Sequence, residues 1–350
     1  MTENKAAGDA RGVAPEDATA SEQLTMLRAL GGMTFPLVVK AALETGLFGA
    51  LSRGARTVGE TASELALDED SLRRLCRALA VTGIVALEDD DSVSMTRLGS
   101  TLLPGHPHSV AALASYLLDD STLQPMMELS SSVRTGKPAL RQDEARGWYA
   151  GHPERSRLMD GAMEVYSSLT LRSIIDAYPF RDFPCIVDVA GGLGHMLAGL
   201  LRNVPSARGV LFELPATALR AAAHLESNQL ADRCRVVAGD MFEAVPPGGD
   251  LYLLSKTLNN WDDDHAITIL RNIRRVMGQE TRLLLVEMLK KEKDPSYEEV
   301  VRDLVFLTCS NGGRTRSLEE LTALAATAGL RLARVIDAPG AYPLLECVTA

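Results

Sequence analysis

The residues Ile186–Gly194 read Ile-Val-Asp-Val-Ala-Gly-Gly-Leu-Gly: an apolar run reaches Asp188 and opens into Gly191, Gly192 and Gly194. Downstream, Glu213 ends the apolar run Val-Leu-Phe-Glu, and Asp240 follows Val-Val-Ala-Gly. Glycines let a backbone approach a ligand where a Cβ would clash. An acid after the second strand of such a unit can accept from both ribose hydroxyls of a nucleoside. An acid after the third can accept from an adenine amino group. A glycine turn alone is weak evidence, but these three features in series describe a nucleoside crevice at the carboxyl ends of parallel strands.

The elements that must position these residues follow an alternating pattern from Phe183 onward. Strands are expected at Cys185–Val189, Gly209–Glu213, Cys234–Gly239, Asp250–Ser255, Arg282–Glu287, Arg331–Asp337 and Tyr342–Val348, with helices between the first six. This is a doubly wound α/β sheet. The last two strands are separated by Ala338–Ala341, too short for a crossover helix, so they must run antiparallel. A nicotinamide-binding sheet does not normally close that way.

Upstream, residues 1–21 lack apolar periodicity and are expected to be disordered. Residues 22–105 read as a winged helix-turn-helix: Thr57 and Glu60 form a capping box, a second helix opens after Asp68, and the acidic turn Asp89–Asp91 joins two short strands. Such a module either reads DNA or serves dimerisation. Its second helix begins Asp68-Glu69-Asp70, which would repel phosphate, so dimerisation is the expectation. Residues 106–180 are helical and rich in methionine and aromatics: Tyr116, Met126, Met127, Trp148, Tyr149, Met159, Met163 and Tyr166. Each alone suits ordinary helix core; as a set they suit a pocket for a flat apolar ligand.

Bulk properties narrow the classes. The chain has 350 residues, a net charge of -10 and five scattered cysteines without a CxxC pair. The acidic balance argues against general nucleic-acid binding, and the cysteines read as reduced thiols of a cytoplasmic protein. No apolar leader opens the chain, and no uninterrupted apolar stretch approaches ~18 residues, so no membrane span is expected. His106 and His108 lack a recognisable third ligand, so no metal is expected.

The set Asp188–Gly194, Glu213 before Leu214-Pro215, Gly239-Asp240-Met241-Phe242 and Asn259-Asn260-Trp261-Asp262-Asp263-Asp264-His265-Ala266 resembles the class I S-adenosylmethionine-dependent methyltransferases. More narrowly it resembles the O-methyltransferase family of the plant caffeate and bacterial polyketide-tailoring enzymes. The resemblance runs from about Glu22 to Ala350. It implies a Rossmann-like methyltransferase sheet with an antiparallel last strand at 181–350, a helical substrate-binding region at 106–180 and a mainly α winged-helix dimerisation domain at 22–105. It further implies S-adenosylmethionine as cofactor, a homodimer and an aromatic small-molecule substrate.

Carried over residue by residue, the resemblance gives the cofactor site. Asp188 would belong to the cofactor site, Gly191 and Gly192 would contact the methionyl and ribose portion, Glu213 the ribose hydroxyls, and Asp240 the adenine, with Met241 and Phe242 against its face. Ser167 would meet the carboxylate end, and Ser255 stands where the family has Lys or Ser. Met126, Trp148, Met159, Met163, Asn260 and Arg314 are the candidate substrate contacts, with Arg316 beside Arg314 at the substrate mouth.

The chain departs from the family at the base. A His usually sits two residues before the Trp of the Trp-Asp-Asp element; here the position is Asn259. Of the two carboxylates that orient that His, Glu287 is kept and Thr315 replaces the other. Asn cannot titrate, and a positioned His typically supplies ~10²–10⁴-fold. A phenol with pKa ~10 is mostly protonated at neutral pH. Either the acceptor is already nucleophilic (a carboxylate, an amine or an acidic phenol) and proximity suffices, or Lys256 or His195 is the base, or the fold retains the cofactor for hydroxylation, decarboxylation or a pericyclic step. The expected function is cofactor-dependent O-methylation without the usual base, with Asn259 and Glu287 as the catalytic positions. Asp262–Asp264 are expected to cap the following helix.

Overall fold

Seven strands after Phe183 assemble into a single sheet in the computed structural model, which describes residues 15–139, 152–310, 312–340 and 342–350. The chain divides into two compact units, Met1–Ser109 and Val110–Ala350.

In the second unit the sheet comprises β4 (Cys185–Val189), β5 (Arg208–Glu213), β6 (Cys234–Ala238), β7 (Leu251–Ser255), β8 (Arg282–Val286), β9 (Leu330–Ile336) and β10 (Leu344–Thr349), in the order β6-β5-β4-β7-β8-β10-β9. The first five are parallel, and β10 pairs antiparallel with both β8 and β9. The strands are nearly continuous aliphatic runs because both faces are covered. Val187, Val189, Tyr252, Leu254, Leu283 and Leu285 face one core, packed on Ile269, Leu270 and Ile273 of one helix (Asp263–Val276) and Leu321 and Leu324 of another (Leu318–Thr327). Ile186, Leu251, Leu253, Leu284 and Val286 alternate to the other face, against Leu197, Leu200 and Leu201 of the helix His195–Asn203 and Ile174 of the long helix Pro153–Ala177. Burying each such side chain contributes ~1.5–3 kcal/mol.

One connection departs from expectation. No helix lies between β6 and β7; the segment 239–250 is made of turns. It contains Pro246, Pro247, Gly248 and Gly249, which withhold an amide donor and raise the entropic cost of a helix. The helices Ala111–Leu117, Asp120–Met127 and Leu129–Thr135 also belong to this unit.

In the first unit, the helices Pro15–Gly31, Thr34–Glu44, Leu47–Leu51, Val58–Leu65, Glu69–Val81 and Arg97–Ser100 accompany a three-stranded sheet of β1 (Arg56–Thr57), β2 (Val85–Leu87) and β3 (Ser92–Met95), in the order β1-β3-β2. The capping box at Thr57 and Glu60 forms as expected, and Asp68 caps the second helix through the Ser71 N–H. Arg73 pairs with Glu69 and Asp91, so part of the acidic set is used within the fold. The helix Pro15–Gly31 takes in the last third of the segment 1–21.

The helical stretch Ser21–Glu44 is long and apolar enough to cross a membrane by length and composition only, a test that the helices of soluble proteins also pass. The run-length criterion missed it because isolated polar residues interrupt the stretch. Gly31 and Gly32 mark the joint between its two helices. Leu24, Met26, Leu27, Leu30, Met33 and Leu37 along it are exposed.

Candidate active site

The cofactor crevice is set by the ends of β4 and β7. Ala190 (φ 56°) and Lys256 (φ 55°), the residues just after these strands, are both left-handed without being glycine. Such backbone costs ~1–3 kcal/mol per residue and persists only where neighbours impose it. Here Ala190 N–H donates to Phe212 O and Lys256 N–H to Val286 O, each at 2.9 Å. At Gly191 a Cβ would come within 2.4 Å of Asp188 Oδ2 and 2.6 Å of Leu211 Cδ1. Gly192 (φ 62°) would meet nothing within 4 Å, so its backbone borders open space.

Around that space the acids stand at strand ends. Glu213 accepts from Gly192 N–H at 3.3 Å and Leu214 N–H at 2.5 Å. Burial raises its pKa, opposed by those two donors. Asp188 is wholly buried and its Oδ2 has no partner. Burial pushes its pKa up to about 7, while the Lys256 ammonium opposes and Glu213 reinforces. Ser255 Oγ is likewise buried and unpartnered, and Ser167 is buried on the long helix. Asp240 Oδ1 accepts from Phe242 N–H at 2.9 Å; the Phe242 ring meets Trp261 edge-on at 4.7 Å. Met241 is buried in the core and its carbonyl accepts from Asn272. Unpartnered acceptors, an open glycine backbone and acids at successive strand ends fit a nucleoside with a charged amino-acid tail.

The second half of the site is the turn Leu258–Asn260. Asn259 is buried; its Nδ2 donates to Met288 O at 3.1 Å and its Oδ1 has no partner. Glu287 Oε1 accepts from Thr257 N–H and Leu258 N–H, both at 2.7 Å, leaving Oε2 buried and unpartnered. Burial pushes its pKa up to about 7 against those donors. Through Oε1, Glu287 holds the backbone of the turn. Asn260 Nδ2 donates to Lys256 O and Thr257 O, closing the turn from the other side. Thr315 donates through N–H and Oγ1 to Asp303 Oδ1, at 2.7 and 2.5 Å.

The two arginines expected at the substrate mouth separate. Arg316 is wholly buried and donates to Leu258 O, Trp261 O and Asp263, an internal strut rather than a mouth residue. Its guanidinium fork matches converging carbonyls, which draws it inward. Arg314 pairs with Glu320 and Asp263 and lines an open recess of about 350 Å³ with Asp262, Asp264 and Gly312. Asp262 caps the helix that follows, as expected, through His265 N–H.

The candidate bases are both half-buried. Burial lowers the Lys256 pKa, opposed by Asp188 and Glu287. Burial pushes His195 down to about 4, aided by His224, whose ring packs edge-on at 4.2 Å. His195 is therefore neutral near pH 7. Met159 and Met163 are half-buried on the long helix. Met126 accepts through sulfur from Thr308 Oγ1 at 3.3 Å on the helix Tyr297–Cys309. Trp148 and Tyr149 lie outside the described residues. Sequence reasoning passed over Asp303 and Arg302, both on that last helix; the available signal was a charged pair inside the apolar run Val300–Cys309.

Comparison with known proteins supplies the context. Residues 128–331 match the model of the O-methyltransferase domain, and residues 27–105 that of the O-methyltransferase dimerisation domain. The chain is 34% identical over 333 residues to the mitomycin biosynthesis 6-O-methyltransferase of Streptomyces lavendulae, covering 93% of this chain and 94% of that protein. Among solved structures it resembles the mitomycin 7-O-methyltransferase MmcR, with TM-score 0.87 and 33% identity over 95% of this chain and 99% of that one. It also resembles NcsB1, an O-methyltransferase from neocarzinostatin biosynthesis in complex with S-adenosylmethionine and 2-hydroxy-5-methyl naphthoic acid. There the TM-score is 0.78 and the identity 30%, over 93% of this chain and 98% of that one.

Proposed function

The chain belongs to the O-methyltransferase family and is an S-adenosylmethionine-dependent methyltransferase; we propose that its acceptor is an oxygen on an aromatic or polyketide-derived small molecule, methylated without a general base. The cofactor would supply the electrophilic methyl group. Glu213 would accept from the ribose hydroxyls and Asp240 from the adenine. Asp188 and Ser255, whose buried Oδ2 and Oγ lack partners, would take the amino-acid end together with Ser167. The observation that carries the base-free reading is the turn at 259: a non-titrating amide occupies the base position, and Glu287 is committed to two backbone N–H groups. What remains for these residues is orientation, which alone can supply a large share of a methyl transfer.

The same reading makes the protein a cytoplasmic homodimer. The exposed apolar face from Leu24 to Leu37 lies within or beside the matched dimerisation domain, and a second copy would cover it. Calorimetry with S-adenosylhomocysteine tests the cofactor assignment. Binding by the wild type with loss in Glu213→Ala is expected; binding that survives both Glu213→Ala and Asp240→Ala would remove those roles. A product heavier by one methyl group would support methylation, and a gain of oxygen would refute it.

A further inference from the structure

Arg302 has no part in the chemistry above. Its guanidinium carbon lies 4.8 Å from the ring centroid of Tyr166, the neighbour of Ser167 on the long helix. Its Nε–H is shut off from solvent and has no acceptor. Tyr166, Tyr342 from the segment before β10, and the Lys256 ammonium just after β7 are close enough to couple to it electrostatically. The carboxylate beside it, Glu298, sits four residues earlier on its own helix and is exposed. Thr308, on the same helix, holds Met126 of the substrate region. Arg302 therefore lies against the long helix that carries Ser167, on the helix that holds Met126 of the substrate region. A guanidinium over a ring, with its Nε–H unpartnered, keeps part of its planar fork able to face an anion.

We propose that Arg302 recognises an anionic oxygen of the acceptor, which is accordingly an arene bearing a carboxylate or an ionised hydroxyl. This rests on the methyltransferase reading and accounts for the Asn at 259. An oxygen that arrives ionised has no proton to remove. Its lone pair forms the O–C bond as the S–C bond breaks, and the opposite charges of oxygen and sulfonium cancel. Where the anion is a carboxylate, it is itself the oxygen that is methylated, and the guanidinium holds it by a charge-assisted contact.

The test is equilibrium binding at pH 8 to protein loaded with S-adenosylhomocysteine, using two matched pairs: 3-hydroxy-2-naphthoate against its methyl ester, and 4-nitrophenol against 4-nitroanisole. The wild type is expected to prefer the anionic member of at least one pair by about ten- to hundredfold. Preference in the first pair identifies a carboxylate, in the second an ionised hydroxyl. Arg302→Gln should abolish the preference and leave S-adenosylhomocysteine affinity unchanged; Arg302→Lys should keep part of it. No preference in either pair, or one that persists in Arg302→Gln, overturns the inference. So does equal loss of cofactor binding in both variants, which would make Arg302 a structural strut. Failure of the wild type itself to bind S-adenosylhomocysteine would instead refute the methyltransferase reading.

Discussion

Removing the Glu287 carboxylate separates a turn-holding role from a catalytic one. Its Oε1 is the acceptor for Thr257 N–H and Leu258 N–H at 2.7 Å each, in a site with no solvent exposure. Glu287→Ala leaves both donors buried and unsatisfied, at ~1–3 kcal/mol each, so a loss of about 2–6 kcal/mol is expected. Glu287→Gln keeps a carbonyl oxygen in the same place and should cost far less. The two variants also differ in pH dependence. Because burial raises the Glu287 pKa to about 7 in the folded protein, its favourable contribution is full below the ordinary glutamate range and is lost as pH rises toward about 7. The stability of wild type relative to Glu287→Gln should therefore fall over that window by on the order of 3 kcal/mol and flatten above it. Urea denaturation from pH 4 to 9 measures both effects. If Glu287→Ala proves as mild as Glu287→Gln, or the difference curve is flat, the assigned role is wrong.

Other perturbations probe neighbouring parts. Arg316→Ala should destabilise by ~1–3 kcal/mol, because it removes the guanidinium bonds to Leu258 O and Trp261 O, while Asp263 keeps Arg314; a melting temperature unchanged from wild type would contradict this. Asn259→Ala removes one hydrogen bond, to Met288 O, and should lower kcat by no more than ~10-fold; a fall of three orders of magnitude would show that its amide acts directly on the reacting groups. Leu27→Asp combined with Leu30→Asp, both on the exposed helical face, should convert the dimer to monomers in light scattering. A mass that stays dimeric would place the interface elsewhere.

The sheet was legible from sequence because its strands are buried on both faces. Leu251–Leu254 and Leu283–Val286 are almost purely aliphatic, a signal that needs no tertiary information. The hairpin between β9 and β10 followed from the shortness of its connection. The position of β10 between β8 and β9 did not, since strand order depends on which edge is open when the strand arrives. The helix wrongly expected between β6 and β7 came from extending a βα rhythm over a segment whose Pro and Gly contradict it. At the site, residue types were readable but partners were not. Asn259 in place of His was visible in the sequence, whereas the engagement of Glu287 by two backbone amides depends on a turn 30 residues away. Arg314 and Arg316 looked equivalent two positions apart; one is an internal strut and the other a paired surface residue.

The strand order has a consequence for assembly of the protein. β10 is the last strand of the sheet to be synthesised, yet it lies between β8 and β9. Until it arrives, Leu283–Val286 presents an aliphatic edge with unpaired backbone groups, the kind of surface that recruits strands from other chains. Glu287 follows directly on that edge. A nascent chain awaiting β10 would therefore be prone to aggregate through the edge that leads into Glu287.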